Sequence, residues 1–265
     1  MFNVSLRVFF KGLLWATLLH GSSCLELTAQ NIETDEPAEG WSFLAEPYLM
    51  FPNMNGAIGM RNLPDATVDV SSSDIFSNLK MGFMLNLEAS TNRWVVGSDL
   101  LYMHLGQNVE PGVLIESGEV NAKQLGWELY GLYRITPWLE FGFGGLVNSI
   151  NTELKISRKE LGGGTVPVRA SRTETWLDPM LIGRIRNRTG QKFLYQLRAE
   201  IGGFGIGSDL AWAIQAYAGY RFSDLFQLTG GYRIISLDFE TGGGSDRFMY
   251  DVDTSGPVIR LGFNF

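Results

Sequence analysis

Residues 192–202 read KFLYQLRAEIG, and their side chains alternate between two kinds. One set is apolar: Phe193, Tyr195, Leu197, Ala199 and Ile201. The other set is mostly polar or charged: Lys192, Leu194, Gln196, Arg198 and Glu200. Successive side chains of a β-strand point to opposite faces, so this period of two predicts a strand with one apolar and one charged face. The same alternation recurs in residues 79–89 and 209–222, which predicts an all-β chain.

Ten runs of this kind extend from residue 41 to the last residue: 41–61 (kinked near Pro52), 79–90, 93–105, 117–134, 138–156, 169–187, 191–202, 209–222, 225–240 and 255–265. A strand tilted by about 45° needs roughly 9–11 residues to cross a bilayer, and nearly every run reaches that length. A soluble β-sandwich rarely needs such long strands. We therefore expect a transmembrane, antiparallel, up-and-down β-barrel of about ten strands. Twelve would result if the first run were a hairpin and residues 247–251 formed another strand.

The connections between these runs alternate in length, as in outer-membrane barrels, which have tight turns at one rim and longer loops at the other. The short turns are 91–92, 135–137, 188–190 and 223–224. The longer links are 62–78, 106–116, 157–168, 203–208 and 241–254. An even number of strands places both chain ends at the rim with the tight turns.

The start of the chain has the layout of a secretory signal peptide, because Arg7 and Lys11 lead into an apolar run at 12–19 and small residues end at Ala29. That run is about half the roughly 20 residues that a spanning helix requires. We expect the protein in the outer membrane of a Gram-negative bacterium. The expected divisions are a signal peptide (1–29), a mobile periplasmic tail (30–40) and the barrel (41–265).

The composition of the predicted mature chain excludes several classes of function. Removing Arg7, Lys11 and Glu26 leaves 19 basic and 27 acidic residues, and an acidic balance argues against a nucleic-acid partner. The single cysteine, Cys24, would leave with the signal, so we expect no disulfide, no thiolate metal site and no cofactor. His104 would be the only histidine left, near no obvious Ser or Asp partner. We therefore expect no enzymatic activity. An outer-membrane enzyme is the least favoured of three classes of function, and the other two are given below.

The last run ends on an aromatic residue, with Leu261, Phe263 and Phe265 on one face. It resembles the terminal signal strand of bacterial outer-membrane barrels, which the barrel-assembly machinery recognises. That resemblance implies the machinery and outer-membrane lipid as partners. Aromatic residues at strand ends are expected to form girdles at the membrane interfaces: Trp41, Trp94, Trp138, Phe222 and Phe226.

Three further stretches point to a family. They are residues 176–179 (WLDP), 202–212 (GGFGIGSDLAW) and 231–233 (GYR). Together with the Phe-ending strand, they resemble a family of uncharacterised Gram-negative outer-membrane β-barrel proteins, over most of residues 41–265. The resemblance implies location and fold, and it implies no catalytic residue.

The inward face of the predicted barrel carries charges of both signs. The candidate lumen-lining residues are Arg134, Arg184, Arg186, Arg198, Glu200, Asp209, Arg221, Arg233 and Arg260. A ten-stranded barrel has a lumen little wider than its own side chains, so a ladder of paired charges would largely fill it. These residues could instead line a narrow polar conduit for a small solute.

Residues 71–79 predict a short helix capped by Ser73 or Asp74. Its apolar side would hold Ile75, Phe76 and Leu79. Our hypothesis is that this segment folds into the lumen as a plug, with Asp74, Ile75, Phe76 and Leu79 as the plug residues.

Two classes of function stay open on the sequence. In the first, the barrel is a narrow channel or small-solute binder whose arginines favour anions. In the second, it is a closed structural barrel without transport, whose links 106–116, 157–168 and 241–254 meet an external partner.

Overall fold

The computed structural model describes residues 40–61, 64–109, 111, 115–159, 164–187 and 191–265. The predicted signal peptide and nearly all of the predicted tail lie outside these residues. The described strands are β1 (Ser42–Met50), β2 (Asn53–Met60), β3 (Ala66–Val70), β4 (Leu79–Ser90), β5 (Trp94–Val109), β6 (Ile115–Thr136), β7 (Leu139–Lys159), β8 (Thr165–Arg186), β9 (Phe193–Gly203), β10 (Leu210–Arg221), β11 (Phe226–Thr241) and β12 (Phe248–Asn264). One α-helix, α1 (Ser72–Ser77), precedes β4, and a 3-10 turn at Gly244–Asp246 precedes β12. None of the described helices is long and apolar enough to cross a membrane.

Ten of the described strands close into an antiparallel barrel. Strands β4 to β12 pair in chain order, and β1 completes the ring by pairing with both β4 and β12. The predicted all-β, up-and-down barrel of about ten strands is confirmed.

Strands β1 and β2 are two halves of one kinked strand. Leu44 pairs with Asn264 and Asn53 with Ser255, so the register along β12 is the same on both sides of the kink. Pro52, which has no backbone N–H to donate, lies at the kink. The predicted alternative of a hairpin here is wrong, because both halves run in the same direction. Two described strands, β2 and β3, lie outside the ten-strand ring. Strand β2 continues β1 beyond the kink, and β3 pairs with β2.

Several strands are longer than the sequence predicted. Strands β6, β7 and β8 have 22, 21 and 22 residues, and β12 begins at Phe248. The predicted links 106–116, 157–168 and 241–254 are therefore wrong in extent, since most of their described residues continue the strands. Residues 248–251 likewise belong to β12 and form no separate strand. These extensions were missed because their outward side chains are polar, which removes the apolar face that marks a strand in the sequence.

The outer surface of the barrel carries an apolar band. On β7 the outward side chains are apolar or glycine from Leu139 to Val147, and they become polar from Ser149 onward. The paired stretch of β8 changes at the same level, between Leu177 and Thr175. Nine residues at about 3.3 Å each, tilted by about 40°, span roughly 23 Å, which fits the ~25 Å band of outer-membrane barrels. The band is the surface of a membrane-spanning barrel.

The rim that holds the start of β1 and the end of β12, here called the terminal rim, carries tight turns and exposed aromatic residues. Described turns at 91–93, 137–138 and 222–225 connect strands there. Exposed aromatic side chains surround this rim: Trp41, Trp94, Trp138, Phe193, Phe222 and Phe265. Amphipathic and aromatic rings favour the boundary between headgroups and hydrocarbon, so the terminal rim lies at one membrane interface. The opposite rim is called the distal rim.

Candidate functional site in the barrel lumen

The lumen near the terminal rim is filled by guanidinium and carboxylate groups. Arg184 is fully buried, and its Nε donates to Glu140 Oε2 at 2.6 Å while its Nη1 contacts Glu88. Arg186 contacts the same two carboxylates, and Arg134 contacts Glu140. Because burial removes charges from water, each of these groups depends on its partners for stability in this position.

A second set of buried ion pairs lies across the middle of the lumen. Arg198 contacts Glu128 and Glu200, both at 2.6 Å, and its guanidinium lies 4.1 Å from the ring centroid of Tyr130. Arg233 on β11 reaches across the lumen to β5, where it donates to Asp99 Oδ2 at 2.7 Å.

Two tyrosines hold further cations of this layer. The Tyr48 hydroxyl accepts from Arg233 Nη1 at 3.2 Å and donates to Asp99 Oδ1 at 2.8 Å. Arg260 lies over the ring of Tyr217, with its guanidinium carbon 4.0 Å from the centroid, and its Nη1 is 3.4 Å from Glu46 Oε2. We call the buried ion pairs of Arg184, Arg198, Arg233 and Arg260 the ion-pair layer.

The ion-pair layer separates two cavities. One of about 130 Å³ opens at the terminal rim and is lined by Arg186, Arg221 and Arg260 among others. The other, of about 60 Å³, lies on the distal side, with Arg233 and Glu200 in its floor. No residue lines both cavities. The open space in the described part of the lumen thus falls into two cavities with the ion-pair layer between them.

The cavity on the distal side, here called the outer cavity, is mostly apolar above its floor. Its walls include four methionines and several aliphatic residues: Met50, Met84, Met103, Met180, Leu146, Ile235 and Leu237. Farther from this floor, toward the distal rim, the rings of Trp176 and Phe239 stack with centroids 4.1 Å apart. Methionine is flexible and polarisable, so a methionine wall can adapt to the shape of a guest.

Asp178 is fully buried and collects four donors. It accepts from the Ser208 backbone N–H at 2.5 Å, the Ser208 hydroxyl at 2.9 Å, Trp176 Nε1 at 3.1 Å and Asn148 Nδ2 at 3.2 Å. Hydrogen bonds of this number stabilise a carboxylate that has no cation beside it. Asp178 therefore ties the β9–β10 loop to strand β8.

Glycines let this loop approach Asp178. A Cβ at Gly207 would lie 2.4 Å from the carbonyl oxygen of Leu177 and 2.5 Å from Asp178 Oδ1, so only glycine fits there. Residues 203–205 all have positive φ, including the non-glycine Phe204 at 52°. The WLDP and GGFGIGS stretches, which are separate in sequence, thus form one structural unit.

Most of the predicted lumen residues lie in the barrel interior. Those that are buried are Arg184, Arg198, Glu200, Arg233 and Arg260, whereas Arg134, Arg186 and Arg221 are half-buried toward the terminal rim. The Arg221 side chain donates to Gln227 Oε1 at 3.4 Å. Asp209 lies exposed before β10, where its backbone N–H donates to the Asp238 carbonyl.

The predicted plug helix exists and lies at the barrel wall. The helix is capped by Ser71, two residues before Ser73 and three before Asp74, and Asp74 completes a capping box with Ser71. Ile75 is buried, and Phe76 and Leu79 are half-buried. The role of these residues as a plug stays a prediction.

Ion pairs at the distal rim fix the segment before β3. Arg247 Nη1 donates to Asp65 Oδ1 at 2.6 Å, and its Nε donates to Glu240 Oε1 at 2.7 Å. The hydrogen bonds from Arg247 hold the pKa of Asp65 below its usual range. This side chain thus keeps its charge and its contact with Arg247 as the pH falls below the ordinary aspartate range.

The comparisons with known proteins concern the fold. No protein-family model and no curated protein matches the chain. Among the solved structures that are similar to it at low identity are three bacterial proteins. They are Ail of Yersinia pestis (13% identity, 86% of this chain and 99% of that chain, TM-score 0.35), the outer-membrane protease OmpT of Escherichia coli (8%, 88% and 99%, 0.47) and the toluene transporter TodX of P. putida (9%, 86% and 90%, 0.34). The family resemblance of the WLDP and GGFGIGS stretches stays a prediction.

Two groups of lumen residues escaped the reasoning from sequence. The first is the tyrosines that partner the arginines: Tyr48, Tyr130 and Tyr217. The second is the methionines of the outer cavity. On each strand these residues lie an even number of positions from the inward-facing charged residues. The alternation of side chains could therefore have placed them in the lumen. Among the described residues, no group of three or more His, Cys, Asp or Glu could hold a metal ion.

Proposed function

We propose that this protein is an outer-membrane barrel that binds a small, mostly apolar molecule in the outer cavity and is closed to ion flow through the lumen. The observation that supports this best is the methionine-walled cavity on the distal side of the ion-pair layer. Binding pockets for small molecules are mostly apolar with a few polar groups that set orientation. Here Asp99, Glu200 and Arg233 supply the polar floor.

The cavity must expand to bind. Its volume of about 60 Å³ is below the ~150 Å³ of an engineered apolar cavity that binds benzene. Rotation of methionine side chains such as Met84 and Met180 would enlarge it at little cost, because the thioether chain has several accessible rotamers. The proposed ligand is therefore compact, of about the size of one aromatic ring.

Export and assembly follow the sequence features already described. The signal-peptide pattern of residues 1–29 supports transport across the inner membrane. The alternating last strand with Phe263 and Phe265 supports recognition by the barrel-assembly machinery. Both are part of the proposal.

The alternative function is a closed structural barrel whose distal parts contact an external partner. Two observations favour it: the ion-pair layer between the two cavities, and the long extension of β6, β7 and β8 beyond the apolar band. In that case the outer cavity would bind nothing. The two functions are separated by a binding measurement.

Fluorobenzene is a suitable first probe, because one aromatic ring matches the size of guest that the cavity could admit. We expect fluorine NMR of the barrel in lipid nanodiscs to give a saturable bound signal, distinct from the signal of fluorobenzene dissolved in lipid. The variant Gly126→Leu should lose it. Gly126 lines the cavity, and a Cβ there meets nothing closer than Asn148 Oδ1 at 3.9 Å, so the new side chain fits and fills the space.

Gly131→Leu is the matched control, since Gly131 lies on the outward face of the same strand and a Cβ there meets no atom within 4 Å. It should keep the bound signal. A wild-type barrel without a saturable bound signal would contradict the proposed binding function and favour the structural one.

The closed lumen makes a prediction of its own. In planar bilayers the refolded barrel is expected to give no discrete ion-channel openings, because buried ion pairs of Arg184 and Arg198 occupy the cross-section. Anion and cation reversal potentials are recorded alongside. Regular openings that change when Arg198 is substituted would instead establish the conduit.

A further inference from the structure

The barrel wall is incompletely paired between β1 and β4. These strands pair only from Ser42–Ser90 to Pro47–Leu85. Beyond that point residues 48–50 pair with β12 alone, and residues 79–84 pair with β5 alone. The backbone N–H of Met50 donates to the Met84 sulfur at 3.4 Å instead of to a carbonyl. The described sheet therefore has a gap in its wall here.

Helix α1 covers this gap. Ile75 is 2% exposed and belongs to the apolar cluster that includes Met54 and Met103. The ring of Phe76 contacts that of Phe51, with centroids 5.2 Å apart. At six residues, α1 is too short to be stable alone and depends on these contacts.

A pocket of about 100 Å³ lies under α1 and passes through the wall. Its lining includes Leu49 and Phe83, which are 44% and 46% exposed on the outward face, and also inward methionines. Met50, Pro52, Met84 and Met103 line both this pocket and the outer cavity. Three flexible methionine side chains and the ring of Pro52 thus lie between the two spaces.

The outward mouth of the pocket lies in the apolar band. Leu49 pairs with Ile259, and Phe83 pairs with Tyr102, at the level where neighbouring outward side chains are apolar. A mouth at this height faces hydrocarbon and is out of reach of the aqueous phase. Molecules that arrive there are those that dissolve in the membrane core.

We propose that the gap between β1 and β4 is a lateral doorway through which small apolar molecules pass between the outer cavity and the hydrocarbon core of the membrane. Helix α1 and the side chains of Met50 and Met84 form its gate. The inference deepens the proposed function and rests on it for the identity of the guest. The doorway itself depends only on the wall geometry.

Dissolved oxygen tests the doorway without a bound guest, because it is apolar, small and concentrated in hydrocarbon. In nanodiscs containing protein with isotopically labelled methionine methyl groups, oxygen should broaden the NMR signals of Met50 and Met84 strongly. The signal of Met180, which lines the same cavity across the lumen on β8, should also broaden, but less, because this residue lies farther from the gap. The outward Met81, 58% exposed, is the lipid-contacting reference.

Gly82→Leu is the blocking variant. Gly82 lines the wall pocket, and a Cβ there makes ordinary contact with Leu79 Cδ2 at 3.5 Å. In this variant the broadening of Met50, Met84 and Met180 should all fall, while that of Met81 is unchanged. Ile75→Ala, which removes buried contacts of α1, should increase the broadening of Met84 and serves if Gly82→Leu fails to fold.

Broadening of Met50, Met84 and Met180 that neither variant changes would overturn the doorway. Failure of fluorobenzene to bind, together with oxygen reaching Met84 through the gap, would leave the doorway in place and overturn only the proposed guest. The two proposals can thus fail separately.

Discussion

Replacing Arg184 by methionine is expected to destabilise the folded barrel by about 3–5 kcal/mol, as for other buried ion pairs that lose one partner. Arg184 is fully buried between Glu88 and Glu140, which are also buried. Methionine fills much of the space of the arginine side chain, but it removes the positive charge that Glu88 and Glu140 share. The midpoint of urea unfolding in lipid vesicles measures the effect.

The matched control is Arg169→Met, an exposed arginine on the same strand, for which we expect a change within about 0.5 kcal/mol. Adding Glu88→Gln to Arg184→Met should recover part of the lost stability, because one uncompensated charge is removed. If Arg184→Met is no less stable than Arg169→Met, the ion-pair layer does not stabilise the barrel.

Asp178→Ala is expected to cost at least about 3 kcal/mol, because unsatisfied buried polar groups cost about 1–3 kcal/mol each. The substitution removes the acceptor of the Ser208 backbone N–H, the Ser208 hydroxyl and the Asn148 amide, whereas the indole N–H of Trp176 keeps Ser208 Oγ as an acceptor at 3.0 Å. The β9–β10 loop should also detach from β8. Urea unfolding measures the first effect, and hydrogen exchange of the Ser208 amide measures the second.

Asp209→Ala is the control for this site, since Asp209 is adjacent to the loop and exposed. Asp178→Asn, which keeps one acceptor oxygen, should cost less than Asp178→Ala. A Ser208 amide that remains protected in Asp178→Ala would contradict the anchoring role of the carboxylate.

The ion-pair layer bears on the choice between functions. A lumen lined by unpaired arginines would attract anions, but here the buried cations of the layer lie against buried carboxylates or tyrosine rings. Coulombic attraction within such pairs opposes their separation in a low-dielectric interior. Movement of a solute through the wall requires only methionine rotation and displacement of a short helix, whereas movement along the axis requires breaking several ion pairs.

The sequence by itself determined the barrel and its orientation of faces. Phe193, Tyr195 and Leu197 alternate with Gln196 and Arg198. In a strand this pattern places the apolar set on one face and the polar set on the other, because neighbouring side chains point to opposite sides. Strand length then distinguished a membrane barrel from a soluble sandwich. The inward charges of β8 and β9 followed from the same parity.

Only the tertiary structure decided how these residues are partnered. Arg184 contacts Glu88, 96 positions away, and Asp178 binds Ser208, 30 positions away. Both contacts depend on barrel closure and on the stagger between strands. The same holds for the wall gap, where Pro47 ends the pairing of β1 with β4 and a six-residue helix covers the opening. Alternation in a sequence is local and sets which face a side chain occupies, whereas register and closure are long-range and set which side chains meet.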